Sequence, residues 1–236
     1  LAAEWLEALR QIEREKGLDA ETVIHALEAA LLSAYRKNYP GEGEEEEVRV
    51  VVDREVGSIH VYARRVNPET GEEEDIEVTP KDFGRIAAQT AKQVILQRIR
   101  EAERDLMYEE FHEKVGDIVT GIVQQSDQRY TLVDLGKVEA LLPMSEQIRG
   151  ERYRHGIRLK VYIVEVRKTS KGPQVIVSRT HPGLLKRLFE LEVPEIAEGY
   201  VEIKAVAREP GQRSKIAVYS RDRNVDPVGA CVGARG

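Results

Sequence analysis

A single cysteine, Cys231, occurs in the whole sequence, so no disulfide can form within the chain, which fits a reducing compartment such as the cytoplasm. No apolar run approaches the ~20 residues that a membrane-crossing helix needs, and no membrane association is expected. The opening segment LAAEWLEALRQIEREK carries acids within an amphipathic pattern, which a secretory signal does not have. An initiator Met is missing too. Together with the stop at Gly236, this reads as a fragment trimmed at both ends. Aromatic residues make up 6% and apolar residues 41% of the 236 positions, enough for small cores but lean for one large one. One to three small modules fit better than a single globule, and a monomer is expected.

Catalytic and metal-binding patterns are also lacking. The histidines are His25, His60, His112, His155 and His181; no two lie within i,i+4, and no cysteine cluster accompanies them, so no zinc site or other metal is expected. Cys231 has no recognisable histidine partner and sits in an apolar stretch, as a small buried residue would. The many carboxylates form no motif with chemical meaning. The chain is read as neither an enzyme nor the holder of a cofactor.

Charge, by contrast, is plentiful and unevenly placed. Residues 1–114 carry 16 Lys and Arg against 27 Asp and Glu, a net of −11; residues 115–236 carry 20 against 15, a net of +5. The acidic half and the basic half therefore point to different partners. The basic half is the candidate for nucleic acid, because phosphate neutralisation dominates such binding; solvated surface of either sign is the alternative.

Periodicity supplies the elements. Trp5, Leu6, Leu9 and Ile12 form one helical stripe. Asp19 is placed to cap a second helix whose apolar face is Val23, Ile24, Leu27, Leu31 and Tyr35. After a short acidic loop from Glu42 to Glu47, VRVVVDR and SIHVYARRV read as strands joined at Gly57. A turn at Asn67–Gly71 and a short strand around Ile76 and Val78 come next. Thr79-Pro80 reads as N-cap and first position of a helix running to about Lys114, with Ile86, Val94, Ile99, Leu106 and Phe111 on its stripe. Five short strands then fit into about 65 residues, the size of a small barrel. A helix over LLKRLFELEV and strands YVEIKAVA and SKIAVYS, turning at Glu209-Pro210-Gly211, lead to the glycine-rich DPVGACVGARG.

Gly233-Ala234-Arg235-Gly236 is a GXXG tetrapeptide, weak alone and a plain turn in its simplest reading. A helix-strand-strand unit precedes it, which is the order of a type II KH domain up to its phosphate-clamping loop. Glycine lets the nucleic-acid backbone approach there, and Arg235 adds a cation. A Rossmann turn would have to come directly after a strand, and a Walker loop needs Gly-Lys-Ser/Thr; both fail.

The barrel region resembles an S1 domain through Val115-Gly116-Asp117-Ile118-Val119-Thr120-Gly121, Val133-Asp134-Leu135-Gly136, Ala140-Leu141-Leu142-Pro143 and Val177-Ser178-Arg179. Candidates for RNA contact on this barrel are Arg129, Tyr130, Lys137, Arg154, His155, Arg167, Lys168 and Lys171; each cation singly reads more simply as solvated surface, and as a cluster on one barrel they favour RNA. Aromatics common in that pattern before Val-Asp-Leu-Gly are replaced by Arg129 and Leu132 around Tyr130, which shifts the work from stacking to charge. With Glu192-Val193-Pro194-Glu195-Ile196, the run from Glu202 to Gly211 and Asp226–Gly233, the module order resembles the NusA family of bacterial transcription elongation and termination factors.

That resemblance implies a multidomain α+β protein. Its parts are an α/β N-terminal domain with a long helix (1–114), a five-stranded S1/OB-type barrel (115–180) and a first KH domain cut at its GXXG loop (181–236). It implies docking of the N-terminal domain on bacterial RNA polymerase near the RNA exit channel. It further implies guidance of nascent single-stranded and hairpin RNA, effects on pausing, termination and antitermination, and cooperation with other antitermination factors. Arg36-Lys37, Arg98, Arg100 and Arg104 are a further place for an RNA hairpin, or else pair with Glu101 and Glu103. An accessory S1-KH subunit of an RNA-degrading complex is the alternative. In the GXXG reading, Arg235→Glu lowers RNA affinity and reduces its salt dependence by about one contact; an unchanged slope in a salt titration removes Arg235 from the contacts.

Overall fold

The computed structural model describes residues 19–40, 47–66 and 72–233. The helix expected over residues 1–15, the acidic stretch 42–46, the turn 67–71 and residues 234–236 of the GXXG tetrapeptide lie outside the described residues. The chain divides into two compact units, Leu1–Glu103 and Arg104–Gly236.

In the first unit, helix α1 (Ala20–Asn38) starts where Asp19 accepts the Thr22 N–H at 3.0 Å. Val23, Ile24, Leu27, Leu31 and Tyr35 are all buried, as the spacing predicts. Strands β1 (Glu47–Val52), β2 (Ile59–Val66) and β3 (Glu73–Glu77) form an antiparallel sheet in that order. Alternation puts Val48, Val50 and Val52 of β1 and Val61 and Ala63 of β2 into the core shared with α1. Full burial of Leu27 and Leu31 stabilises by roughly 1.5–3 kcal/mol each. The opposite face is an ionic ladder: Arg49 meets Asp75 at 2.5 Å and Arg64 meets Glu47 at 2.9 Å. Exposed pairs of this kind add little stability but favour this register.

Helix α2 (Phe83–Glu113, 31 residues) spans about 46 Å at ~1.5 Å per residue. It begins three residues later than the Thr79-Pro80 signal predicts. Thr79 is committed to the sheet: its hydroxyl accepts the Val61 N–H at 2.9 Å and donates to Glu77 at 2.9 Å, so it is not free to cap. The Phe83 N–H instead reaches the Pro80 carbonyl. The buried seam also differs from the expected stripe. Phe83, Ala87, Ala91 and Ile95 are buried, while Ile86, Val94 and Ile99 only flank them and Leu106 is 51% exposed. Alanines at i,i+4 let the helix backbone approach its neighbours closely, and bulkier side chains are pushed to the margins. Phe111 is buried as expected, but in the core of the second unit.

The second unit is built on a closed barrel of β4 (Ile118–Ser126), β5 (Tyr130–Asp134), β6 (Glu139–Pro143), β7 (Arg158–Thr169) and β8 (Gly172–Ser178), ordered β4-β5-β6-β8-β7. Only β6 and β8 run parallel. Val123, Val133, Ala140, Leu142, Val161, Ile163, Val175 and Val177 fill the interior with no exposure, and Phe111 of α2 joins them. Register shifts at Val123/Gln125 and Ile163/Glu165 bend the two longest strands, the usual device for closing a small barrel. Beyond it come α3 (Pro182–Glu192), α4 (Pro194–Ala197), the antiparallel hairpin β9 (Val201–Arg208) and β10 (Ser214–Ser220), and α5 (Pro227–Val232). Cys231, expected to be buried, is partly exposed on α5; burial first and then the Glu195 carboxylate push its thiol above the ordinary value.

Gly121 makes the barrel's tightest approach. A Cβ there would lie 2.4 Å from Val133 Cγ1 and 2.9 Å from the Asp134 carbonyl oxygen. Gly121→Ala is therefore expected to destabilise the second unit by about 3 kcal/mol, the upper part of the overpacking range; a denaturant midpoint unmoved by the substitution contradicts this.

Candidate nucleic-acid interface

Strand register sorts the eight sequence-predicted barrel residues into two groups. Tyr130 opens β5 opposite Pro143 of β6. Arg129 precedes it in a turn ordered by Asp127, whose carboxylate accepts the Arg129 and Tyr130 N–H groups at 2.7 and 3.0 Å. Those bonds, Tyr130 before Arg129, hold the Asp127 carboxyl below the usual range. His155 reaches the same end, its Nδ1 bonding the Gln124 carbonyl at 2.8 Å, with Arg154 beside it. Arg129, Tyr130, Arg154 and His155 thus share one end of the barrel.

Lys137, Arg167, Lys168 and Lys171 occupy the other end, beside the last turns of α2. Three of these cations are already compensated. Lys137 meets Glu110 at 2.7 Å, Arg167 meets Glu165 through two bonds of 2.7 Å, and Lys168 meets Asp105 at 2.9 Å while lying over the Tyr108 ring. The Asp105 hydrogen bond is the main cause that raises the Lys168 ammonium above its ordinary value. Lys171, in the β7–β8 turn, has no carboxylate within 4.0 Å among the described residues.

Between these ends, the outward row of the β5–β6–β8 face is aliphatic: Leu132 pairs with Leu141, and Leu141 with Ile176. Only Tyr130 at its margin offers a ring for base stacking. The segment 149–160, RGERYRHGIRLK, adds cations beyond the sequence-predicted ones. Arg149, Arg152, Arg158 and Lys160 are exposed, as is Arg154. The signal in the sequence is five cations against one acid. It does not disclose the fate of that acid: Glu151 is held by Arg179 at 2.6 Å and by the Tyr153 hydroxyl at 2.7 Å. Partial burial pushes the Glu151 carboxyl up, but the Arg179 and Tyr153 hydrogen bonds outweigh it and leave it below the ordinary range. Burial and that carboxylate push the Tyr153 phenol up.

The same network joins the barrel to α3 and the β9–β10 hairpin. The Ser178 hydroxyl donates to Glu146 and accepts the N–H groups of Thr180 and His181. His181 stacks on Tyr162 with ring centres 4.5 Å apart, and its Nδ1 caps α3 by accepting the Gly183 N–H. Arg208 of β9 donates to the carbonyls of Arg179 and His181, each at 2.8 Å. At the far end of this unit, α5 stops at Gly233 with φ 71°, the left-handed conformation that glycine adopts freely. Gly233 thus ends a helix; Ala234, Arg235 and Gly236 lie outside the described residues. In the longer helix, Arg98 pairs with Glu101 at 3.0 Å, and Arg104 donates to the Ser170 carbonyl. Among the described residues, no group of three or more His, Cys, Asp or Glu could hold a metal, and no helix is long and apolar enough to cross a membrane.

A closed five-stranded barrel carrying a basic end, followed by a helix–hairpin–helix unit that stops at a glycine, defines a modular RNA-binding protein. Comparison with known proteins agrees. Residues 4–67 and 63–105 match the NusA N-terminal domain, residues 113–178 the S1 RNA binding domain, and residues 179–236 the NusA-like first KH domain. The transcription termination/antitermination protein NusA of Halalkalibacterium halodurans is 55% identical over 99% of this chain and 66% of its own length. That of Bacillus subtilis is 54% identical over 100% and 69%, and that of Thermus thermophilus 42% identical over 99% and 68%. The chain belongs to the NusA family of transcription termination/antitermination proteins, and it spans about two thirds of the length of these relatives.

Glu151 yields a pH prediction. Its folded-state value is depressed, so its contribution is complete above the unfolded carboxylate value of about 4.3 and is lost as pH falls through the folded value. Glu151→Gln is expected to lower stability at pH 7 and to flatten its acid-side dependence; thermal melts from pH 7 to pH 3 that keep the same slope in the variant refute the assignment.

Proposed function

We propose that this chain is the polymerase-docking and RNA-guiding part of a cytoplasmic transcription termination and antitermination factor. Residues 1–114 dock on bacterial RNA polymerase near the RNA exit channel. The modules at 115–180 and 181–236 hold emerging single-stranded and hairpin RNA, and the combination alters pausing and works with other antitermination factors. No chemistry on the RNA is part of this reading, and the protein acts as a monomer.

The observation that carries it is the division of charge, −11 before residue 115 and +5 after it. An acidic unit whose β3 is exposed along its whole length repels phosphate and suits a protein partner. The barrel's uncompensated cations and the helix ending at Gly233 suit RNA. The match of residues 4–105 to the NusA N-terminal domain supports this reading over an accessory subunit of an RNA-degrading complex.

The test is a pause assay. Added to purified bacterial RNA polymerase halted at a hairpin-dependent site, the chain is expected to lengthen the pause; an unchanged pause lifetime at saturating protein contradicts the proposal.

A further inference from the structure

An RNA-binding barrel of this type ordinarily uses the face of its second and third strands, flanked by the loops after the first and fourth. In this chain that face is poorly equipped. Its outward row is Leu132, Leu141 and Ile176, Arg167 and Lys168 at its rim are matched by Glu165 and Asp105, and Arg129, Tyr130 and Lys171 stand only at its two ends. The β4–β7 face differs in both respects. Leu159, Val161 and Ile163 of β7 point into the core, so Arg158, Lys160 and Tyr162 alternate outward. In register beside them on β4 stand Ile122, Thr120 and Ile118, none of them charged. Thr120 and Ile122 are exposed, so the surface is open beside Arg158 and Lys160, while α3 packs over its Tyr162 end.

Arg158 and Lys160 lie about 6.6 Å apart along one strand face, at ~3.3 Å per residue. The loop before β7 adds Arg152 and Arg154. Arg152, Arg154, Arg158 and Lys160 are exposed, and among the described residues none has a carboxylate within 4.0 Å. The acid in their midst, Glu151, is taken by Arg179 and Tyr153. A line of exposed cations beside a neutral, flat strand suits a negatively charged polymer backbone better than a compact anion, because nothing there encloses a ligand.

We infer that the phosphate backbone of single-stranded RNA runs along the β4–β7 face of the barrel, from Arg152 and Arg154 to Arg158 and Lys160, and not across the β5–β6–β8 face. The inference rests on reading the chain as RNA-binding. Recognition there is electrostatic and indifferent to base sequence: of the rings beside the track, Tyr162 is covered by His181 and His155 bonds the Gln124 carbonyl through Nδ1.

The experiment is a salt titration of the affinity of the 236-residue chain for an unstructured, fluorescently labelled RNA oligonucleotide, read by anisotropy. The Arg158→Gln/Lys160→Gln double variant is expected to flatten the log–log salt slope by about 1.4, two contacts at ~0.7 each for a single strand. Arg152→Gln/Arg154→Gln should flatten it equally without altering a strand, which covers the case in which the first variant folds poorly. Arg167→Gln/Lys168→Gln, on the rim of the other face where Glu165 and Asp105 already match the charge, should leave the slope unchanged. Unchanged slopes in both β4–β7 variants, with a flattened slope in the rim variant, overturn the placement and leave the RNA reading intact. No salt-dependent binding by the unsubstituted chain overturns both together.

Discussion

A buried hydroxyl governs how the second unit is put together. Ser178 closes the last barrel strand with no solvent exposure. Its oxygen donates to Glu146 and accepts two backbone N–H groups just past the strand end. Polar groups leaving a closed barrel have no sheet neighbour to pair with, and each one left unpaired costs about 1–3 kcal/mol. Meeting that demand at a single oxygen turns the chain sharply at Thr180 and sets His181 on the Tyr162 ring, where it caps α3. Arg208 then finds the carbonyls of Arg179 and His181 in place and ties the hairpin to the same spot. Barrel, helix and hairpin thus converge on one small polar network.

The network has an electrostatic consequence. By using Glu151 to hold Arg179, it withdraws the only acid of the 149–160 segment from the surface. The surrounding arginines are then left without a counter-charge among the described residues. At the opposite end of the barrel, α2 supplies Asp105 and Glu110 and neutralises two lysines. A module of modest net charge therefore has one end that is electrostatically quiet and another that is not. Formal charge per domain does not reveal this; pairing does.

Much of the architecture is legible in the sequence because periodicity reports burial directly. The α1 stripe, the alternation in β1 and β2, the five barrel strands and the β9–β10 turn all come from local pattern. The start of α2 is not legible, because Thr79 has two competing partners in the sheet that no local signal announces. Its buried seam escapes for a related reason: Ala87 and Ala91 are weak apolar signals, yet close packing selects them over Ile86 and Val94. In the candidate interface, residue type and the S1-like pattern group Arg129 with Lys168, which strand register places at opposite ends of the barrel.

The sequence by itself determined the modules, their order and the reversal of charge between them, because these depend on composition and on repeats of about 2 and 3.6 residues along the chain. Only the tertiary structure decided which cations remain available. An ion pair such as Lys168 with Asp105 joins residues 63 positions apart, and whether a charge is spent or free depends on that distance in space rather than on any neighbour in sequence.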